Sequence, residues 1–161
     1  MNASVYIETT IPSLLTARPS RDLIIAARQE ITRLWWETRK DKYSLFISDF
    51  VIEEVSRGDS NAASSRLKVL EDLSLIEIDD EVISLTETIL KSGLIPIKAA
   101  MDAGHIAVAS RHSIDYMITW NCNHLANAEI LRYINFIVSE AGYFLPTICT
   151  PDELFGGEIN V

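Results

Sequence analysis

The chain has 161 residues, of which 48% are hydrophobic and 23% are charged, and its formal net charge is −9. This length and composition are typical of one globular domain with a sizeable core, so we expect a single domain over residues 1–161. The excess of acidic residues argues against broad, charge-driven binding to nucleic acid. It still allows a partner that carries positive charge, such as metal ions or a basic protein segment.

No membrane association is expected from the sequence. No apolar run reaches the roughly 18 residues of a membrane-spanning helix, and the N-terminus lacks the basic and apolar regions of a signal peptide. The two cysteines, Cys122 and Cys149, form no CxxC pair. Two free thiols fit a reducing compartment, so we predict a cytoplasmic protein.

The first part of the chain predicts a strand followed by a helix. Residues 4–7 (SVYI) are mostly β-branched or aromatic, as in a buried strand, and Glu8 ends this run. Pro12 then predicts a break, and Ser20 is expected to cap a helix that reaches about Arg39.

The middle of the chain repeats this alternation. We predict a strand over residues 43–47, a helix capped by Ser48 or Asp49 that ends near Gly58, a second helix over 60–73 and a strand over 74–78. Each helical segment carries apolar residues at the 3.6-residue period.

The last part contains three further helices and two strands. Asp79 or Asp80 caps a helix that Gly93 ends, and a helix rich in small residues follows Pro96. A strand over residues 116–119, a helix over 126–141 and a strand over 146–149 complete the chain. The alternation of strands and helices predicts an α/β fold whose parallel sheet is covered on both faces.

Four polar positions fall where an α/β sheet gathers its ligand sites, near the carboxyl ends of strands. They are Glu8, Glu53 or Glu54, Asp102 and Asn121. Clustered carboxylates suit hard divalent ions such as Mg²⁺ or Mn²⁺, and two such ions can activate a water for phosphodiester hydrolysis. For each residue alone, a solvated helix face is the competing interpretation, so the spacing by itself predicts only a possible metal site.

Four segments together resemble the PIN domain, and most closely its bacterial VapC-like toxins. They are YIET (6–9), VIEEV (51–55), DAGHIA (102–107) and DYMITWN (115–121). The resemblance extends from residue 5 to about residue 150 and depends on the order and spacing of these segments. It implies a three-layer α/β/α sandwich with a mostly parallel sheet of about five strands, and a Mg²⁺- or Mn²⁺-dependent ribonuclease.

The resemblance also assigns residues to roles. The first family acid corresponds to Glu8, the second to Glu54, which directly precedes Val55, and the third to Asp102, and these three would bind the metal. The fourth family position is Asn121, which would orient the water or a phosphate. Two positions depart from the family pattern, because Glu8 replaces the usual aspartate and Asn121 replaces a frequent aspartate. Both departures weaken the expectation of activity.

The resemblance implies an RNA substrate, a cognate antitoxin and a homodimer that uses apolar helix surface, with Trp36 as a candidate contact. An alternative is a PIN-like module that binds RNA or protein with weak or lost nuclease activity, as neutral Asn121 suggests. A small-molecule phosphatase or nucleotide-binding domain is a third possibility, but the chain has no glycine-rich phosphate loop.

The metal-site hypothesis makes two physical predictions. The carboxyl groups of Glu8, Glu54 and Asp102 should converge on one cleft at the carboxyl edge of the sheet. Without metal, such a cluster should repel itself and raise the pKa values of its members.

Overall fold

The computed structural model describes residues 2–157, so the predicted domain limits at residue 1 and residues 158–161 lie outside the described residues. Within that range, five strands alternate with seven α-helices. The strands are β1 (Ser4–Ile7), β2 (Ser44–Ile47), β3 (Ser74–Leu75), β4 (Tyr116–Ile118) and β5 (Thr147–Cys149). The helices are α1 (Thr10–Thr16), α2 (Leu23–Thr38), α3 (Asp49–Val55), α4 (Ser60–Leu70), α5 (Asp80–Lys91), α6 (Ala100–Arg111) and α7 (Ala128–Glu140).

All five strands are parallel and form one sheet in the order β3-β2-β1-β4-β5. The central strand β1 pairs with both β2 and β4, so that Val5 lies opposite Leu45 on one side and Tyr116 on the other. The sheet is flanked by helices, which confirms the predicted α/β class. Since the chain moves from β1 to β2 in one direction and later returns to β4 on the other side, the topology reverses at β1.

The core follows from this arrangement. Val5, Tyr6 and Ile7 of the central strand are fully buried, because β1 has a strand on each side and helices above and below. Trp35 of α2 is also fully buried, and its indole Nε1 donates to the Leu154 carbonyl at 3.0 Å. This bond holds the 3₁₀ turn Pro151–Leu154 against α2, so the turn packs on the core.

Two predictions near the N-terminus are wrong. Pro12 lies inside the first turn of α1 rather than at a break. It is tolerated there because the first amide groups of a helix have no intrahelical acceptor, so the missing N–H removes no bond. Helix α2 is capped by Asp22 and not by Ser20: the Asp22 carboxylate accepts from the amides of Ile24 and Ile25, each at 3.0 Å.

The third strand is shorter than predicted. Strand β3 covers only Ser74–Leu75, whereas the β-branched pattern extended to residue 78. It is an edge strand that pairs only with β2, and β2 ends at Ile47. The amide of Ile76 donates to the Ile47 carbonyl at 2.9 Å, and β2 offers no further residue beyond that bond.

Across residues 2–157, none of the helices combines the length and the apolar character that crossing a membrane requires.

Candidate functional site

The carboxyl edge of the sheet carries polar side chains where β1 and β4 end. Glu8 follows β1 and Thr119 follows β4, and the two strands are neighbours at the point where the topology reverses. The Thr119 hydroxyl, which is fully buried, donates to Oε1 of Glu8 at 2.7 Å. The position is the one where open α/β sheets bind ligands.

Glu8 is only 3% exposed, and Thr10 donates three further hydrogen bonds to its carboxylate. The Thr10 hydroxyl donates to Oε1 at 2.6 Å, and the Thr10 amide donates to both carboxylate oxygens at 3.0 and 3.2 Å. Burial raises the pKa of Glu8, and this effect exceeds the lowering by the charge of His105 and by the threonine hydrogen bonds. Glu8 is therefore an acid whose ionised form costs free energy to bury.

Glu54 of α3 lies on the same edge. Its Oε1 accepts from the Thr9 hydroxyl at 2.8 Å and contacts Nε2 of His105 at 2.5 Å. Burial acts to raise the pKa of Glu54, but the hydrogen bond and charge of His105, with the Thr9 bond, outweigh it, so the pKa is lowered. The expectation that every acid of the cluster has a raised pKa is therefore wrong for Glu54.

The neighbouring acid Glu53, which the sequence left as an alternative, points elsewhere. Its side chain is 63% exposed and forms a surface ion pair with Arg57 at 3.0 Å, one helical turn away. The structure therefore brings Glu54, and not Glu53, to the carboxyl edge.

His105 of α6 is fully buried between two partners. Its Nδ1 pairs with the Tyr6 hydroxyl at 2.7 Å, and its Nε2 contacts Glu54. The Tyr6 hydroxyl also pairs with Oγ of Ser48 at 2.7 Å. Ser48 begins α3 as its N-cap, but its hydroxyl is used by Tyr6 and caps no amide, contrary to the prediction for Ser48 or Asp49.

Gly104 makes this packing possible. A β-carbon at Gly104 would lie 2.9 Å from the ring of Phe50, which meets the His105 ring edge-on with a centroid distance of 6.3 Å. The absence of a side chain at Gly104 lets the first turn of α3 pack closely against α6. This close approach places Glu54 within reach of His105.

Asp102 and Asn121 both contact His124. Oδ2 of Asp102 contacts Nδ1 of His124 at 2.9 Å. Oδ1 of Asn121 accepts from the amides of Asn123 and His124 at 3.2 and 3.0 Å, and the Asn121 amide donates to the Thr119 hydroxyl at 2.9 Å. Asn121 therefore shapes the turn that carries His124.

These contacts form two hydrogen-bonded groups, which together we call the polar ring. Asp102 and His105 are three residues apart on α6 and lie on one helical face, and Glu8 and Thr9 are adjacent in the chain, so the two groups lie side by side. The polar ring consists of Glu8, Thr9, Glu54, Asp102, His105, Thr119, Asn121 and His124. All four residues predicted for the site belong to it, and their function stays a prediction.

Sequence reasoning did not identify Thr10, Thr119 and His124 as members or supports of this site. A threonine beside a buried strand is most simply interpreted as part of the strand, so no local pattern marked Thr119. His124 carried one available signal. It lies in the segment 119–124 (TWNCNH) and follows a strand end, as Asn121 does. The two contacts of His105 are those of a hydrogen-bonded histidine inside a helix.

The resemblance to the PIN domain implies divalent metal ions, and the donor types present fit them, since carboxylate oxygens are hard ligands. The arrangement is different from a metal cage. Within residues 2–157, no group of three or more His, Cys, Asp or Glu side chains is close enough to hold one ion. Protein donors engage at least one oxygen of each acid: the threonines at Glu8, His105 at Glu54 and His124 at Asp102.

Two solved structures share this fold. FitAcB from Neisseria gonorrhoeae superposes with a TM-score of 0.55 at 16% identity, covering 93% of this chain and 99% of that one. VapC20 from Mycobacterium tuberculosis, a toxin that cleaves the sarcin–ricin loop, gives 0.51 at 14% identity, covering 86% of this chain and 95% of that one. No protein-family model and no curated protein sequence matches the chain.

This chain has a PIN-like fold, an all-parallel five-stranded sheet flanked by helices, as the resemblance implied. The VapC-like resemblance of its segments is confirmed at the level of that fold, which VapC20 shares.

Proposed function

We propose that this protein is a Mg²⁺- or Mn²⁺-dependent endoribonuclease and the toxin component of a toxin–antitoxin pair. The observation that supports the proposal is the polar ring, which contains Glu8, Glu54, Asp102 and Asn121 and lies at the topological switch point of the sheet. The shared fold with VapC20, a toxin that cleaves RNA of the sarcin–ricin loop, agrees with this chemistry.

In this proposal, Glu8, Glu54 and Asp102 would supply oxygen ligands to metal ions, which would polarise the phosphate and lower the pKa of a bound water. The chain's other residues orient these acids. Thr10 and Thr119 fix Glu8, and His105, itself held by Tyr6, fixes Glu54. Oδ1 of Asn121 is used in the turn, so its amide NH₂ is the group that would orient a phosphate or water.

The second candidate is a PIN-like module that binds RNA or protein with weak or lost nuclease activity. The observation that favours it is the arrangement of the acids, which hydrogen-bond to protein groups and form no three-residue metal cluster within the described range 2–157. Neutral Asn121 further lowers the charge available for a cation.

The two candidates differ in what Asp102→Asn does. The nuclease proposal predicts cleavage of a labelled single-stranded RNA with Mn²⁺ or Mg²⁺, no cleavage in EDTA, and loss of both cleavage and Mn²⁺ binding in Asp102→Asn. Stability in EDTA should change by at most about 1 kcal/mol, because the asparagine oxygen can still accept from His124. The matched control is Asp115→Asn, the same chemical change at the opposite edge of the sheet, which should cleave like the wild type.

The binding-module candidate predicts RNA binding without products and no metal dependence in the same assay. An Asp102→Asn protein that melts much lower in EDTA, yet binds Mn²⁺ normally by calorimetry, would show that Asp102 is a structural residue. A loss of about 3–5 kcal/mol is the size expected when a buried ion pair loses one partner.

The proposal includes a homodimer, an antitoxin and a cytoplasmic location, where an RNA substrate is present. Support for apolar contact surface comes from the first turn of α2, where Leu23 and Ile24 are 85% and 67% exposed. Trp36, farther along α2, is half-buried beneath the Lys40 ammonium and remains the proposed dimer contact. Light scattering at high micromolar concentration tests the dimer, and a monomer would contradict it.

A further inference from the structure

A groove of about 230 Å³ lies beside the polar ring. Its walls come from α1, α2 and the segment after β4, and all of its residues are partly or largely exposed. It is lined by Thr10, Ser13, Leu14, Ile25, Arg28 and Trp120. Apolar and aromatic walls with one cation and two hydroxyl groups are the composition of a ligand site.

Thr10 connects this groove to the candidate catalytic edge. Its hydroxyl donates to Glu8 at 2.6 Å and accepts from the Trp120 amide at 2.8 Å. A group that contacts Thr10 in the groove is therefore separated from Glu8, the first acid of the site, by the Thr10 side chain alone.

Trp120 is held in a fixed orientation. Its indole Nε1 donates at 2.8 Å to the hydroxyl of Thr32, which is fully buried. The Arg28 guanidinium lies over the indole ring at 5.2 Å from its centroid. The guanidinium and the indole ring therefore form two stacked planes. The hydrogen bond to Thr32 fixes the indole, so the position of this surface does not depend only on the flexible Arg28 side chain.

The charge of Arg28 is unusual for its surroundings. The chain carries nine more acids than bases, and none of the ion pairs found within residues 2–157 includes Arg28. Arg33, farther along the same helix, is instead paired with Glu30 and Glu37. An arginine with no carboxylate partner beside an acidic site can meet an anionic or planar ligand directly.

We propose that this groove binds one unpaired nucleobase of an RNA strand, adjacent to the phosphodiester that faces Glu8. The base stacks on the Trp120–Arg28 surface, with Leu14 and Ile25 as apolar walls, and the guanidinium offsets the repulsion between the phosphates and the acidic edge. This inference rests on the proposed action on RNA and adds a base-stacking subsite to it. Stacking recognises any base, so the groove selects unpaired strands rather than a sequence.

The test measures binding in EDTA, where no cleavage occurs, with a uridine tetranucleotide that carries one 2-aminopurine and a 5′ fluorescein. The wild type should quench the 2-aminopurine fluorescence on binding, as stacked bases do. Arg28→Gln and Trp120→Leu should each weaken binding about tenfold and reduce the quenching, because each removes one stacking plane. Trp120→Phe keeps an aromatic face and should bind within about threefold of the wild type.

The matched control is Arg33→Gln, which removes the same charge from the same helix away from the groove, and it should bind within about twofold of the wild type. A tetranucleotide with an abasic site in place of 2-aminopurine lacks the stacking base. The wild type should bind this strand about tenfold more weakly than the 2-aminopurine strand, whereas Trp120→Leu should bind the two strands almost equally. Equal affinity of Arg28→Gln and Arg33→Gln, or equal affinity of the wild type for the abasic strand, would overturn the subsite alone. Failure of the wild type to bind any tetranucleotide would overturn both this inference and the proposed action on RNA.

Discussion

Strands β1 and β4 are tied together by a carboxylate at both of their ends, and the two ends differ in surroundings. At the amino edge, Oδ2 of Asp115 accepts from the amide and hydroxyl of Ser4 at 2.8 and 2.9 Å. At the carboxyl edge, Oε1 of Glu8 accepts from Thr10 and Thr119. The local chemistry is the same, because a carboxylate is held by hydroxyl and amide donors from neighbouring segments.

The two carboxylates differ in burial and in the residues to which their hydrogen-bond partners connect. Asp115 is exposed and its carboxylate contacts only Ser4 within the described residues 2–157, so water screens its charge. Glu8 is almost fully buried, its pKa is raised by that burial, and its partners continue into the polar ring. A strand-end carboxylate is therefore a weak functional signal by itself, whereas a buried one joined to further titratable groups is a strong one.

The largest expected effect separates the two neighbouring acids of α3. Glu54→Gln should lower metal-dependent RNA cleavage by at least about 100-fold, the usual cost of removing one group that stabilises transition-state charge. Glu53→Gln should stay within about twofold, because Glu53 is exposed and contacts only Arg57 on the surface. Initial rates with Mn²⁺ at matched protein concentration measure the ratio, and equal losses in the two variants would remove Glu54 from the site.

The next effect compares the hydroxyl partners at the two strand ends. Thr119→Val preserves shape but removes a buried donor to Glu8 and the acceptor of the Asn121 amide, so it should destabilise the fold by about 1–3 kcal/mol. Ser4→Ala removes a hydroxyl at the exposed end and should cost about 0.5 kcal/mol or less. Urea unfolding of both variants in EDTA gives the two values, and similar losses would mean that the two edges are equivalent.

The fold was predictable because its signals are local. The β-branched run of residues 4–7 gave β1 its correct limits, and Gly93 and Gly142 end α5 and α7 with the positive φ values that favour glycine. Errors arose where tertiary contacts override local chemistry. Ser48 begins α3 as predicted, but Tyr6 uses its hydroxyl, and β3 ends early because β2 offers no further partner.

The candidate site was predictable only in part, for a related reason. Glu8, Asp102 and Asn121 stand out in sequence because each is a polar residue beside an apolar element. The bond between Thr119 and Glu8 joins residues 111 positions apart, and no periodicity in either segment encodes it. The choice between Glu53 and Glu54 likewise depends on the approach of α3 to α6 at Gly104, which only the packed structure shows.

The smallest effect concerns the pH dependence of stability, and its sign follows from the two glutamates. Glu8 has a folded pKa above its ordinary value of 4.5, so the folded state binds this proton more tightly, and stability falls as the pH rises through the folded pKa. Glu54 has a folded pKa below 4.5, so its contribution is present above the unfolded pKa and is lost as the pH falls through the folded pKa. The two windows lie on opposite sides of 4.5.

Acidification from pH 8 in EDTA should therefore first raise the melting temperature, because Glu8 takes up a proton. At lower pH the melting temperature should fall, because Glu54 then takes up a proton as well. General relief of repulsion in a chain of net charge −9 would also raise it, so the control must remove an equal charge elsewhere. Asp115→Asn removes one exposed charge and should keep the initial rise. Glu8→Gln should lose part of that rise, because its side chain has no proton to gain. Calorimetric melts at intervals between pH 8 and about pH 3 compare the three proteins, and identical curves for the two variants would show that the charge of Glu8 is as well solvated as that of Asp115.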